Sequence, residues 1–128
     1  VQTCALPISL THAGTTYTRN EAGQVVSYLN FEGDVSAYGG VFGTLSVVEN
    51  FTEASATNGT CSWIGEAMNE DGTRLFGAAE GTWEQAPPEH NYKIAMDGEE
   101  SDGRKTRSEG AIVLGDTVTF EGTVYTRD

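Results

Sequence analysis

The sequence predicts an all-β fold, in which a single antiparallel sheet of roughly eight strands closes into an up-and-down barrel. The chain shows no sustained 3.6-residue periodicity, and its short runs rich in Val, Ile, Thr, Phe, Tyr and Trp are bounded by Gly, Asn and Asp. Most links between these runs are short, which favours pairing of consecutive strands. A closed barrel also leaves no exposed strand edge. A two-sheet β-sandwich is the alternative.

The predicted strands follow one another with turn residues between them. They cover residues 10–19, 24–37, 41–50, 60–68, 74–85, 91–97, 104–114 and 117–126. Segments such as Asn20-Glu21-Ala22-Gly23 and Asn69-Glu70-Asp71-Gly72 carry turn chemistry. An acidic turn is predicted over 97–103, and the longest link, 50–60, has room for one helical turn. Pro87-Pro88 marks a stop, because proline cannot donate a hydrogen bond to a strand ladder.

Glu-Gly pairs recur inside four predicted strands, at Glu32-Gly33, Glu80-Gly81, Glu109-Gly110 and Glu121-Gly122. Each glycine has an apolar residue two positions later, so the two share one face and the glutamate lies on the other. Glycine within a strand commonly marks a bend at a barrel corner. The repeat therefore favours closure, although chance pairing in a chain with 16 glycines is the plain alternative.

The same alternation predicts which side chains face inward. The predicted interior consists of Val25, Leu29, Phe31, Val35, Val41, Leu45, Val47, Cys61, Trp63, Leu75, Ala79, Trp83, Tyr92, Ile94, Met96, Ile112, Leu114, Val118, Phe120 and Val124. Small barrels either fill their interior or hold one small ligand. The inward glycines and Ala79 favour a cavity, and a plain packed core is the alternative. The candidate ligand-binding residues are Phe31, Cys61, Trp63, Trp83, Tyr92, Met96 and Phe120.

Length and charge limit the partners that this chain is expected to have. Its 128 residues fit one domain, and 19 acidic against seven basic residues give a net charge of -12. Such a chain is repelled by phosphate backbones and by anionic lipids. No apolar run approaches the ~18 residues of a membrane span. We therefore expect neither nucleic acid nor membrane as a partner.

Residues 1–8 are expected to lie outside the domain, which then spans residues 9–128. Their sequence, VQTCALPI, resembles a translated sequencing adapter, which would indicate environmental sequence data as the source. A natural first strand is the alternative. Without Cys4, Cys61 is the remaining thiol, and no intrachain disulfide can form. The lack of a disulfide pattern and of a signal peptide favours a cytoplasmic location.

The motifs that would indicate metal or cofactor chemistry are missing from the sequence. It has no phosphate-binding glycine loop and no Gly-x-Ser-x-Gly elbow, and its two histidines, His12 and His90, are far apart. We expect no metal and no cofactor. The acids between Asp97 and Asp102 could bind calcium, but their spacing differs from that of an EF-hand, which favours a solvated acidic loop.

One alternating trio could move a proton. Tyr28, Asn30 and Glu32 place a phenol, a carboxamide and a carboxylate on one face of a predicted strand, and they are the candidate catalytic residues. The alternation assigns this face to the exterior, where a row of solvated side chains is the alternative. A bulge near Gly33 would turn the side chains on one side of it to the opposite face of the sheet.

A short segment resembles a known family. The residues Tyr38-Gly39-Gly40-Val41-Phe42-Gly43-Thr44-Leu45 resemble the glycine-rich strand entry of allene-oxide-cyclase-like barrels, which belong to the calycin type. The resemblance implies a cofactor-free barrel that holds an apolar, reactive substrate and controls its cyclisation. The plant enzymes use a strand glutamate and an asparagine two residues away, and here Asn30 and Glu32 stand in the reverse order. Lipocalin-like and other calycin barrels are further alternatives, although the usual Gly-x-Trp near the first strand is missing.

Three functions follow as hypotheses. The first is a cofactor-free isomerase or cyclase that binds a small apolar substrate inside the barrel. The second is a non-catalytic carrier of a small apolar ligand. The third is a structural or assembly module with a filled core. Apolar residues predicted on the outer face also allow a homo-oligomer; they are Val26, Tyr28, Phe42, Val48, Ile64, Phe76 and Tyr125. An inward-facing carboxylate supports the first, and a cavity of ligand size distinguishes the first two from the third.

Overall fold

The computed structural model describes residues 5–36, 38–86, 90–114 and 116–127. Its strands are β1 (Ala5–Arg19), β2 (Val25–Val35), β3 (Gly39–Glu49), β4 (Asn58–Met68), β5 (Arg74–Gln85), β6 (Asn91–Glu100), β7 (Lys105–Leu114) and β8 (Val118–Arg127). Each strand pairs antiparallel with the next, and β1 also pairs with β8, so the sheet closes on itself. The predicted eight-stranded up-and-down barrel is confirmed. In these ranges no helix is long and apolar enough to cross a membrane.

Three links differ from the sequence prediction or fall outside the description. β6 continues to Glu100, so the acidic turn is limited to Ser101–Gly103. The prediction of a helical turn in the long link is wrong. Two successive turns form there, with Glu53 N donating to Asn50 O and Ala56 N to Glu53 O. The predicted stop at Pro87-Pro88 lies outside the described residues.

The segment before Ser9 takes part in the barrel where the structure describes it. Ala5 to Ile8 belong to β1 and lie opposite Tyr125 to Gly122 of β8. The side chains of Leu6 and Ile8 pack against the buried core. The fold therefore includes residues that the sequence places outside the domain, whereas their origin as an adapter stays a prediction.

The core follows the predicted alternation closely. Buried residues from all eight strands form one cluster: Leu10, Phe31, Val35, Leu45, Cys61, Trp83, Ile94, Met96, Ile112 and Phe120. Two assignments are corrected. Leu114, predicted inside, is 43% exposed at the end of β7, and Val26, predicted outside, is buried. The predicted outer hydrophobics Phe42, Ile64 and Phe76 are exposed.

Each of the four Glu-Gly glycines lies close to the backbone of a neighbouring strand. A Cβ added to Gly33 would come within 2.8 Å of Ser9 O, and one on Gly110 would overlap Glu121 O. At Gly81 and Gly122 the added atom would overlap Ala95 O and Glu109 O. Backbone therefore occupies the space beside these glycines, as expected at barrel corners. They do not provide the cavity that the sequence assigned to them.

Candidate ligand site in the barrel interior

The barrel interior has two differently filled halves. We call the end that carries the β2–β3, β4–β5 and β6–β7 turns the mouth, and the end that carries the β1–β2, β3–β4, β5–β6 and β7–β8 links the plug. Because consecutive strands are antiparallel, the start of β5 and the end of β6 both lie at the mouth. The two ends differ in the size and chemistry of their inward side chains.

Large side chains fill the plug. The rings of Trp83 and Tyr92 meet edge to face with their centroids 5.8 Å apart. The indole of Trp83 also covers Gly59 of β4, where a side chain would overlap the ring. The buried thiol of Cys61 lies nearby in the same cluster, and burial raises its pKa to about 11. These contacts close the plug half of the barrel.

The mouth half contains a cavity of about 120 Å³. Its apolar wall comes from Ile8, Leu10, Phe31, Val35, Val41, Leu45, Trp63, Ala67, Leu75, Ala79, Ile94, Met96, Ile112, Phe120 and Val124. An apolar cavity of ~150 Å³ in another protein stays dry and binds benzene or xenon. The present cavity is thus of the size that a single ring occupies, and far below the ~300 Å³ at which drug-sized pockets begin.

Small residues near the mouth create this space. Gly77 faces inward, and a Cβ placed on it would have no neighbour closer than Glu99 O at 4.0 Å. Ala67 and Ala79 also contribute short side chains to the wall. Trp63 lies over Gly43, which leaves room for the indole because it has no side chain. The glycine at position 43 of the Gly-rich segment therefore has a packing explanation.

The polar groups that line the cavity lie at the mouth. Glu100 is the last residue of β6 and shares the inward face of Ile94 and Met96. Its side chain lines the cavity and is 10% exposed. Tyr38, from the link before β3, lines the same space, and Thr106 and Ser108 add hydroxyl groups from β7. The cavity therefore has an apolar wall and one polar end.

Tyr38 and Arg104 set the environment of the Glu100 carboxylate. The pKa of Tyr38 is raised. Burial is the largest cause, and the hydrogen bond to Glu100 and the negative charge of that carboxylate add to it. Arg104 Nε lies 3.2 Å from Glu100 Oε1 as an ion pair, while its single N–H donates to Asp102 Oδ2 at 2.9 Å. Glu100 Oε1 is consequently buried without a hydrogen-bond partner among the described residues. Such a group costs free energy unless a partner satisfies it.

The predicted ligand-binding residues divide between the two halves. Phe31, Trp63, Met96 and Phe120 line the cavity. Cys61, Trp83 and Tyr92 belong to the plug. The alternation therefore selected inward residues, but it did not distinguish their level along the barrel axis.

The predicted catalytic trio lies on the outer face, as the alternation assigned it. Tyr28 is 36% exposed, and Asn30 and Glu32 are exposed as well. Thr44 Oγ1 donates to Asn30 Oδ1 at 2.7 Å across the outside of the sheet. β2 and β3 pair in continuous register, so no bulge forms at Gly33. The irregularity lies in β1, between His12 and Gly14. The structure thus does not bring this trio into the cavity, and its catalytic role stays a prediction.

Sequence reasoning missed Tyr38 and Glu100. Extending the alternation from Ile94 and Met96 by four residues places Glu100 inward, whereas the cluster of acids predicts a turn there. The other acids of that cluster are exposed and paired: Glu99 with Lys105, Asp102 with Arg104, and Asp97 with Arg107 and Arg127. Across the described ranges, no group of three His, Cys, Asp or Glu side chains is arranged to hold a metal ion.

Comparisons with protein-family models, with curated proteins and with solved structures gave no match to this chain. The resemblance to allene-oxide-cyclase-like barrels therefore stays a prediction.

Proposed function

We propose that this protein binds one small apolar molecule, about the size of a single ring, in the mouth half of the barrel. The cavity of about 120 Å³ supports this function most directly, because a structural module would be expected to fill it. Apolar surface that stays unpacked loses dispersion contacts, and a ligand of matching shape restores them. The plug closes the other end, so the ligand would enter from the mouth.

Titration of the isotope-labelled protein with benzene, toluene and cyclohexane, followed by NMR, tests this proposal. We expect shifts at cavity residues such as Met96, Phe120 and the Trp63 indole, and little change at Trp83. Gly77→Val should weaken binding at least tenfold, because the new side chain enters the cavity without meeting backbone. Ala95→Val adds bulk on the outer face of β6 and serves as the control. No saturable shifts with any of the three probes would overturn the proposal.

An inward carboxylate beside a phenol favours a cofactor-free isomerase as a second candidate. Glu100 would remove a proton from the carbon beside a ketone in a β,γ-unsaturated substrate and return it to the γ carbon. One C–H bond breaks and one forms, the double bond moves into conjugation, and Glu100 is ionised again at the end. Tyr38 keeps its proton because its pKa is raised, and its single O–H would turn from Glu100 to the enolate oxygen once Glu100 takes up the substrate proton.

Conversion of 3-cyclohexen-1-one to 2-cyclohexen-1-one, followed by ultraviolet absorbance, tests the catalytic candidate. Glu100→Gln should reduce the rate at least 100-fold, since the general base is lost. Glu80→Gln, which removes an exposed charge from the outer face of β5, should leave the rate unchanged. Glu32→Gln removes the exposed glutamate that the sequence predicts to be catalytic, and comparing it with Glu100→Gln shows which of the two glutamates the reaction uses. A rate equal to that of buffer would remove this candidate without affecting the binding proposal.

A further inference from the structure

The mouth of the cavity contains an acceptor that the fold leaves unused. Glu100 Oε1 is buried and receives no hydrogen bond from the described residues. Its side chain lines the cavity and is nine-tenths buried. A carboxylate offers about four lone-pair positions, so the interaction with Tyr38 does not exhaust its capacity. A bound group that donates an N–H or O–H would satisfy this oxygen.

The charge around Glu100 indicates what kind of donor fits. Arg104 Nε, 3.2 Å from Oε1, already provides a positive charge beside the carboxylate. The same N–H is directed to Asp102, so Arg104 neutralises the charge without supplying the missing hydrogen bond. A second cation in the ligand would face Arg104 at close range and be repelled. The site therefore favours a neutral donor over an ammonium group.

The rest of the wall limits the donor to one end of the ligand. Ile94, Met96, Ile112 and Phe120 surround the deeper part of the cavity with apolar surface. A polar group there would lose its hydration without finding a partner, which is unfavourable. Thr106 and Ser108 lie on the wall that β7 contributes, so their hydroxyls can assist a polar group held at the mouth.

On the basis of the binding function proposed above, we infer that the ligand is a neutral ring-sized molecule with one hydroxyl group, which donates to Glu100 Oε1 at the mouth while the ring lies in the apolar part. Phenol is the simplest probe of this class, and it is un-ionised at pH 7. Toluene has nearly the same shape but lacks the donor, and anisole keeps the oxygen but lacks the proton.

Calorimetric titration of the wild-type protein at pH 7 with phenol, toluene, anisole and benzylamine tests the inference. Phenol should bind about 10- to 100-fold more tightly than toluene or anisole, as expected for a hydrogen bond to a charged acceptor. Equal affinity for phenol and toluene would overturn the inference while the binding function stands. Tighter binding of benzylamine than of phenol would overturn the conclusion that the donor is neutral. No binding of either phenol or toluene by calorimetry or NMR would instead overturn the binding function itself.

Two variants locate the effect at Glu100. Glu100→Leu should abolish the preference for phenol and leave toluene affinity within about threefold, whereas Glu100→Gln should keep a reduced preference because its amide oxygen still accepts. Glu80→Gln removes a glutamate charge from the outer face and should change neither affinity. Thermal unfolding of each variant checks that the barrel is intact. An unchanged preference in a folded Glu100→Leu variant would overturn the assignment to this residue.

Discussion

The two ends of the barrel interior follow the same inward alternation and yet differ in packing. At the plug, Trp83 and Tyr92 are in ring contact and cover Gly59. At the mouth, Gly77 lies opposite Glu100 and leaves open space beside it. A closed barrel of eight strands is just wide enough for side chains to fill. Whether a given level contains a core or a cavity is therefore decided by the residues that the register places at that level.

The comparison also explains why the polar groups lie where they do. Glu100 and Tyr38 lie at the mouth, where Arg104 can reach the carboxylate from the β6–β7 turn. A carboxylate at the level of Trp83 would have no such partner, and burying it there would cost several kcal/mol. A buried carboxylate is thus less costly in this fold near the mouth than in the plug.

Removing a large side chain from the plug is expected to have the largest effect on stability. Trp83→Ala should lower the free energy of unfolding by about 3–5 kcal/mol, because Trp83 is 5% exposed and closely packed. Trp63→Ala should cost clearly less, since Trp63 is partly buried and one side of it already faces the cavity. Urea denaturation of both variants gives the comparison. Equal losses would show that the two halves are packed equally well.

Deleting residues 1–8 tests how far the seam between β1 and β8 depends on them. The deletion removes four of the seven residue pairs that join these strands, along with the apolar side chains of Leu6 and Ile8. We expect a loss of about 2–4 kcal/mol, from partial burial of two aliphatic side chains and from lost pairing. The measurement is the denaturation midpoint with and without the segment. An unchanged midpoint would support the interpretation that the segment is foreign to the domain.

Much of the fold could be predicted because alternation and turn residues act locally. The strand bounds of β5 agree with the prediction, and Phe31, Met96 and Phe120 were placed inward correctly. Neighbouring backbone lies beside the glycines of the four Glu-Gly pairs, which is compatible with the predicted barrel corners. These features depend on the period of two along a strand and on backbone sterics, both of which a sequence shows directly.

The position of each residue along the barrel axis could not be predicted from the sequence. Trp63 and Trp83 have the same inward alternation, but Trp63 lies opposite Leu45 and Ala79, whereas Trp83 lies opposite Gly59 and Ile94. These partners depend on the registers of successive strands, which a one-residue change in any turn would shift. The candidate site, which combines Tyr38 from one link with Glu100 from another hairpin, results from the same registers.

Two inward-facing glycines on neighbouring strands provide a smaller test, which locates the open space within the mouth half. Gly98→Ala should lower the free energy of unfolding by about 1–3 kcal/mol, because the new Cβ would overlap Ala78 O and the Ala79 side chain. Gly77→Ala, which adds the same atom beside open space, should be close to neutral or slightly stabilising. Thermal unfolding of the two variants is the measurement. A larger loss for Gly77→Ala would mean that the mouth half is already filled.

The smallest effect on stability at neutral pH is expected from the raised pKa of Cys61 in the plug. Burial raises the pKa of this thiol from 9.0 to about 11, because the thiolate is disfavoured away from water. At pH 8 the folded protein should react with iodoacetamide about 100-fold more slowly than the urea-unfolded protein, even before access is considered. Mass spectrometry in a Cys4→Ser background follows Cys61 alone.

The raised pKa of Cys61 also makes the folded state less stable as the pH rises. Below pH 9 the thiol carries its proton in both states, whereas from pH 9 towards 11 the unfolded chain ionises Cys61 first, so the folded state loses stability as the pH rises. Cys61→Ala, itself less stable through the lost side chain, should show a shallower decline over this interval. The raised pKa of Tyr38 acts in the same direction in both proteins and cancels in the comparison. Parallel curves, or rapid alkylation of the folded protein, would mean that water reaches Cys61 and that the plug is not closed.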